Sequence, residues 1–239
     1  MTAALLLHRA SGAPIPTAFR KAAFGTNDPF AAQREIAWAG PGAMAAGRVH
    51  FTAGVEVASY PHIETLVVVD GELTLTAAGT APLVLGPQAG VVIAPGTAVR
   101  IEAETGARFV FCAAAGGTTA RPGLTPLRAE ADFKPSNPPP AEALLGPAPA
   151  CRSDNVFKDE ETQYIAGTWD STPYHRIERP HRLNEFMHLL AGSVRFASPD
   201  GSALSAGAGD ALFVPQGAPM GWESHDRVAK FYVVQSVQA

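Results

Sequence analysis

The chain has 239 residues, enough for one large domain or two modest ones with a sizeable core. Apolar residues make up 46% and charged residues 17%, with 23 Gly and 21 Pro, which suits short strands joined by turns and argues against long helices. A net charge of -4, with no Lys or Arg interleaved with aromatics, argues against a nucleic-acid partner, and no apolar run approaches the ~20 residues of a membrane span.

In chain order, the opening "MTAALLLHRASGAPIP" carries an apolar patch too short for a signal peptide and preceded by no positive charge. Cys112 and Cys151 have no metal or redox spacing, and together these features predict a cytoplasmic protein with two plain thiols. In "NDPFAAQREIAW", Asp28 is placed to cap and Pro29 stands at a first helical position, so a short helix is expected there. "TLVVVDGELTLT" reads as a hairpin, "GVVIAPG" as a short strand stopped by a Pro-Gly turn, and "ARFVFCAA" as a closing strand. A Pro- and Ala-rich stretch over 116–155 has little periodicity and reads as a linker, with one helical turn in "PPPAEALLG". The strand pattern then starts again.

The second run repeats the first. Glu64 and Gly71 answer Glu185 and Gly192, Pro95 answers Pro215, and the offset holds at 120 or 121 residues throughout. A duplicated all-β domain follows, each copy a sandwich or closed barrel in which closure removes exposed strand edges.

The spacing Glu, six residues, Gly, then Gly-Asp, apolar residues and Pro-x-Gly resembles the two sequence blocks of the cupin barrels. The phrases "GTWDSTPYHR", "NEFMHLLAGSV", "AGDALFVPQGAPMGWE" and "RVAKFYVV" resemble the branch of ethanolamine-utilisation and ureidoglycine-aminohydrolase-like cupins. The resemblance is strong over 160–235 and looser over 40–115. It implies a bicupin: two tandem jelly-roll (double-stranded β-helix) barrels, a degenerate one at 1–117 and a second at 156–239, joined by the linker 118–155. It also implies a homodimer.

The resemblance further implies a metal site of His-x-His, a Glu and a final His five residues past the proline. In the second copy these positions hold Arg179, His181, Glu185 and Met220, so only His181 and Glu185 remain as metal ligands, for Mn, Zn, Ni or Fe. Arg179 repels a cation, and the Met220 thioether is a poor replacement for imidazole. His188 lies an odd number of residues after Glu185, so strand alternation turns it out of the barrel, where a surface histidine is expected. The inward parity of His175 is not readable. In the first copy Tyr60 replaces the histidine, Glu64 is kept, His62 shares its face, and Arg100 fills the last position, where an ion pair with Glu64 is expected. That copy is expected to serve packing or dimerisation.

Arg179, His181, Met220 and Trp222 share inner faces by parity, Glu185 joins them, and Trp169 adds a wall. Such a pocket predicts binding of a small polar metabolite, with Arg179 clamping a carboxylate and Trp222 stacking on a planar or cationic group. One alternative is a metal-dependent, aminohydrolase-like enzyme using His181 and Glu185; without metal the same two residues are the acid–base candidates. Another is a non-catalytic assembly or regulatory module.

Overall fold

A computed structural model describes residues 4–41, 43–117 and 121–236. The regular structure of the described residues is strands apart from one 3-10 turn, and no helix among them is long and apolar enough to cross a membrane. The chain divides into two compact units, each built from a seven-stranded and a four-stranded antiparallel sheet. This is the cupin jelly-roll architecture expected from the sequence.

The N-terminal unit comprises residues 17–127 and 157–164. Its larger sheet runs, in spatial order, Leu124–Pro126, Gly90–Ile93, Ile63–Gly71, Ala107–Ala114, Met44–Phe51, Arg34–Gly40 and Arg20–Lys21. Its smaller sheet runs Gly54–Val57, Val99–Glu102, Leu73–Ala77 and Leu83–Leu85. Inward-facing side chains such as Leu66, Val68, Leu75, Ile101, Phe109 and Phe111 fill the space between, each fully buried. Burying side chains of this size contributes ~1.5–3 kcal/mol each.

The C-terminal unit comprises residues 1–16, 128–156 and 165–239. Its larger sheet runs Leu5–His8, Ala211–Val214, Asn184–Ala191, Val228–Gln235, Tyr164–Ser171, Cys151–Asp159 and Lys134–Ser136. Its smaller sheet runs His175–Pro180, Pro219–Glu223, Ser193–Ala197 and Ala203–Gly207.

The chain is shared between the units differently from the expected 1–117, 118–155 and 156–239. Leu5–His8 pairs with Ala211–Val214 and belongs to the C-terminal unit. Residues 118–120, where the expected linker begins, lie outside the described residues, but the rest of that stretch is no free spacer. Leu124–Pro126 extends the N-terminal sheet beside Gly90–Ile93, and Lys134–Ser136 extends the C-terminal one beside Cys151–Asp159. Pairing these flanking segments satisfies backbone groups that an open sheet edge leaves exposed. The helical turn in "PPPAEALLG" is a 3-10 turn at Ala141–Ala143.

The short helix expected after Asp28 is instead a turn leading into the strand Arg34–Gly40. Asp28 does accept a backbone bond, from Phe30 N–H at 3.0 Å, but its carboxylate also takes Arg34 Nε at 2.7 Å. The cap has been diverted to an ion pair that needs the chain to fold back at once.

The paired glycines of the two copies share one physical cause. Gly71 and Gly192 have φ of +75° and +74°. A Cβ there would meet a carbonyl oxygen of the adjacent strand, Gly106 O at 2.2 Å and Arg227 O at 2.3 Å. Both the left-handed backbone and the close approach demand glycine.

Candidate functional site

Each unit buries one carboxylate at the start of an inner strand: Glu64 on Ile63–Gly71 and Glu185 on Asn184–Ala191. The two carboxylates are neutralised by different strands.

In the N-terminal unit the cation is Arg34, fully buried, whose Nη1 and Nη2 donate to the two oxygens of Glu64 at 2.8 and 3.0 Å. Its Nε and Nη2 also donate to Asp28, at 2.7 and 2.8 Å, and its guanidinium lies over the Phe111 ring at 4.2 Å. Tyr60 Oη and His62 Nε2 donate to the remaining Glu64 lone pairs at 2.5 and 2.9 Å. Burial alone would raise the pKa of Glu64, but Arg34 beside it and the His62 bond hold it at about 2. Its own burial, and then the same carboxylate, push Tyr60 well above the usual phenol range. Glu64 accepts four hydrogen bonds in all, which leaves this carboxylate saturated. The expected Arg100–Glu64 pair does not form. Arg100 is exposed and pairs with Glu102 at 2.6 Å, because Val99 and Ile101 are the inward residues of its strand. A groove of about 420 Å³ elsewhere in this unit is lined only by uncharged residues such as Ala77, Leu83, Thr97 and Pro122.

In the C-terminal unit the cation is Lys230, which the sequence reading missed. Its Nζ donates to Glu185 Oε1 at 2.8 Å, and Met187 Sδ lies 3.3 Å away. It sits over the faces of Trp169 and Trp222, 4.7 and 5.1 Å from their centroids. His181 Nε2 donates to the other oxygen, Glu185 Oε2, at 2.8 Å. Burial would raise the Glu185 pKa, yet Lys230 and His181 bring it down to about 2, so the carboxylate is ionised. His181 and Glu185 each keep 12% side-chain exposure, against 0% for Glu64, so this cluster opens to solvent and its counterpart does not.

The aromatic wall is ordered around Trp222, which is 3% exposed. Tyr174 stacks on it at 5.4 Å with a 9° interplanar angle, while Trp169 and Phe196 meet it edge-on at 5.9 and 5.3 Å. Its indole N–H donates to Ser224 Oγ at 3.2 Å. Met220, 2% exposed, belongs to the same core cluster.

Arg179 lies opposite Met220 in the strand register, and Arg176, which the sequence reading passed over, lies opposite Trp222. Directly paired residues of an antiparallel ladder share a face, so both arginines face the interior wall, the register shift between them allowing a three-residue spacing. Among the described residues Arg176 makes one long hydrogen bond, Nη2 to Met220 O at 3.3 Å, and its buried Nε has no partner. Burial lowers its pKa, with Tyr174 and Glu185 opposing and Arg179 adding to the fall. His175, next to it, is exposed and faces Glu223. His188 points away from Glu185, as alternation requires, but it is 1% exposed rather than on the surface. It stacks on Phe231 at 6.3 Å, both ring nitrogens lack a hydrogen-bond partner among the described residues, and burial, aided by His8 and opposed by Asp210, lowers its pKa to about 4.

The donor set does not fit a divalent ion. His181 and Glu185 are the two ligand-type groups that meet, and an ammonium already holds the carboxylate. No group of three or more His, Cys, Asp or Glu able to hold a metal occurs among the described residues.

The profile of the EutQ-like cupin domain matches residues 158–232. A search of curated proteins finds no match. Among solved structures, a cupin 2 conserved barrel domain protein from Leptotrichia buccalis has 9% identity and a TM-score of 0.59, over 84% of this chain and 87% of its own. Protein Ylba from E. coli, of the DUF861 family, has 12% identity and a TM-score of 0.53, over 95% of this chain and 88% of its own. Both show the fold alone. A protein of unknown function from Pseudomonas syringae pv. tomato, also of the DUF861 family, has 40% identity and a TM-score of 0.94 over 98% of this chain and 100% of its own. Identity of that extent along the whole length establishes that the chain belongs to the DUF861 family, with a EutQ-like cupin domain at its C-terminal end.

Proposed function

We propose that the protein is a bicupin whose C-terminal barrel binds a small polar metabolite through a carboxylate or similar planar anion, while its N-terminal barrel is a stabilising copy. The observation that carries this reading is Arg176, a half-buried guanidinium with one long hydrogen bond and a buried Nε left unbonded. A guanidinium has five donors in a fork that matches a carboxylate, and leaving them unmet inside a protein is costly.

Charge balance supports the same conclusion. Lys230 already neutralises Glu185, and Arg176, which feels both Glu185 and the like charge of Arg179, adds positive charge that no bonded carboxylate offsets among the described residues. An anion entering beside Trp222 relieves that excess in a half-buried site, where charges interact more strongly than in bulk water. The saturated Arg34–Glu64 cluster of the other unit offers no such demand.

Calorimetric titration with a panel of small carboxylates, amines and ureides tests the reading. Binding of one or more carboxylates, weakened at least tenfold in Arg176→Gln, is expected. Preference for amines, or an affinity indifferent to Arg176, contradicts it.

A further inference from the structure

The carboxylate of the C-terminal barrel, its neighbouring imidazole and two indole faces together make a receptor for a cation. A carboxylate supplies charge, and aromatic faces attract ammonium groups through their quadrupoles. In this protein the receptor is filled from within. Lys230 places its Nζ 2.8 Å from Glu185 and over both Trp169 and Trp222, with a side chain 7% exposed. We infer that Lys230 is a resident cation that fixes the specificity of this barrel, excluding both divalent metal ions and the ammonium groups of ligands from Glu185, so that recognition falls to Arg176 and Arg179.

Three features of the structure carry the inference. The first is placement: Lys230 stands opposite Leu189 on the closing strand, and the equivalent position in the N-terminal unit, opposite Val68, is Phe109. A charged side chain has been put where an apolar one packs equally well, at the cost of desolvating an ammonium. The second is occupancy, since each oxygen of Glu185 already accepts one bond, from Lys230 and from His181, so an incoming cation meets an ammonium beside the carboxylate. The third is enclosure, because the ammonium is fixed from several sides by Glu185, Met187 Sδ and two rings. A metal ion or an incoming amine must displace a tethered cation that pays no entropy of association, a competition the tethered group wins at ordinary concentrations.

The inference rests on the anion-site reading only for what the ligand is; the displacement itself is tested without any ligand. Purified wild-type protein, Lys230→Ala and Lys230→Met, each checked for native circular dichroism, are titrated with zinc chloride alone and with n-propylammonium chloride alone. Wild-type protein is expected to take up neither. Lys230→Ala is expected to bind about one equivalent of zinc, weakened at least tenfold by adding His181→Ala, and its thermal midpoint is expected to rise with propylammonium, which replaces the deleted stem and charge. Lys230→Met, which fills the stem without charge, is expected to bind zinc but not the amine. Stoichiometric zinc on the wild-type protein that His181→Ala removes overturns the inference, and so does a folded Lys230→Ala protein that takes neither probe. The wild-type arm needs no variant to fold. Failure of all carboxylates to bind wild-type protein in a separate titration overturns the anion-site reading and leaves this inference standing.

Discussion

Phe109 and Lys230 hold the same place on the closing strands of their units, one opposite Val68 and the other opposite Leu189. One packs in the core and the other neutralises Glu185. In the N-terminal unit that task falls to Arg34, on a different strand. Two copies with the same inward carboxylate have thus found separate solutions to its burial, and only the solution in the C-terminal unit leaves the site open.

Removing the carboxylate of the C-terminal unit strands its cation, whereas Arg34 of the other unit keeps Asp28 when Glu64 is removed. Glu185→Gln leaves Lys230 buried without a counter-charge, and breaking one partner of a buried pair costs ~3–5 kcal/mol. Urea unfolding at pH 7 is expected to show a loss at the lower end of that range, because Glu185 keeps some exposure.

Arg34→Met exposes the converse case. Asp28 and Glu64 are then buried with no cation, for a loss of ~3–5 kcal/mol by the same argument. Adding Glu64→Gln removes one of the two stranded charges, so the double variant is expected to be more stable than Arg34→Met alone. A double-mutant cycle by urea unfolding reads the coupling.

Acid stability separates the histidine from the carboxylates. The His188 pKa is lowered to about 4 in the folded protein, so between its ordinary value of 6.5 and 4 the unfolded chain binds the proton that the folded one refuses. Stability therefore falls as pH drops through that window, by roughly 3 kcal/mol in total. Glu64 and Glu185, held at about 2 against an ordinary 4.5, contribute stability that is complete above the ordinary value and lost as pH falls toward 2. His188→Leu is expected to flatten the upper window and keep the lower one, and to be no less stable at pH 7, since it removes two unbonded polar atoms. Thermal melts from pH 7 to pH 3 check both statements.

Glycine substitutions distinguish a structural requirement from a tolerated residue. Gly192→Ala places a Cβ 2.3 Å from Arg227 O at a φ of +74°, and a loss of ~2 kcal/mol or more is expected. Gly207→Ala meets nothing nearer than 3.9 Å and is expected to change stability by less than ~0.5 kcal/mol.

The all-β architecture, the meeting of His181 with Glu185 and the burial of Met220 and Trp222 were legible because strand alternation and spacing are local properties. What was not legible depends on partners far along the chain. Arg34 lies 30 residues from Glu64 and Lys230 lies 45 from Glu185, and no local pattern marks either as a counter-ion. A lysine amid the apolar run "VAKFYVV" was the one available signal for Lys230. Counting five residues past a proline located Met220 correctly but failed for Arg100, whose strand presents the alternate residues inward. The parity of His188 was right and its exposure wrong, because alternation says which face a side chain takes and not whether that face is covered. Asp28 looked like a helix cap because a capping carboxylate and an ion-pairing one are the same residue until Arg34 is placed beside it.

The central claim is that the C-terminal barrel recognises an anion with its own side chains as the cations. Its most direct test is titration of chelator-treated protein, wild type and Arg176→Gln, with the best-binding carboxylate of the panel. Affinity unchanged by the chelator and reduced at least tenfold by the substitution is the predicted result. Binding that disappears with the chelator and returns with added metal, or that ignores Arg176, contradicts the account.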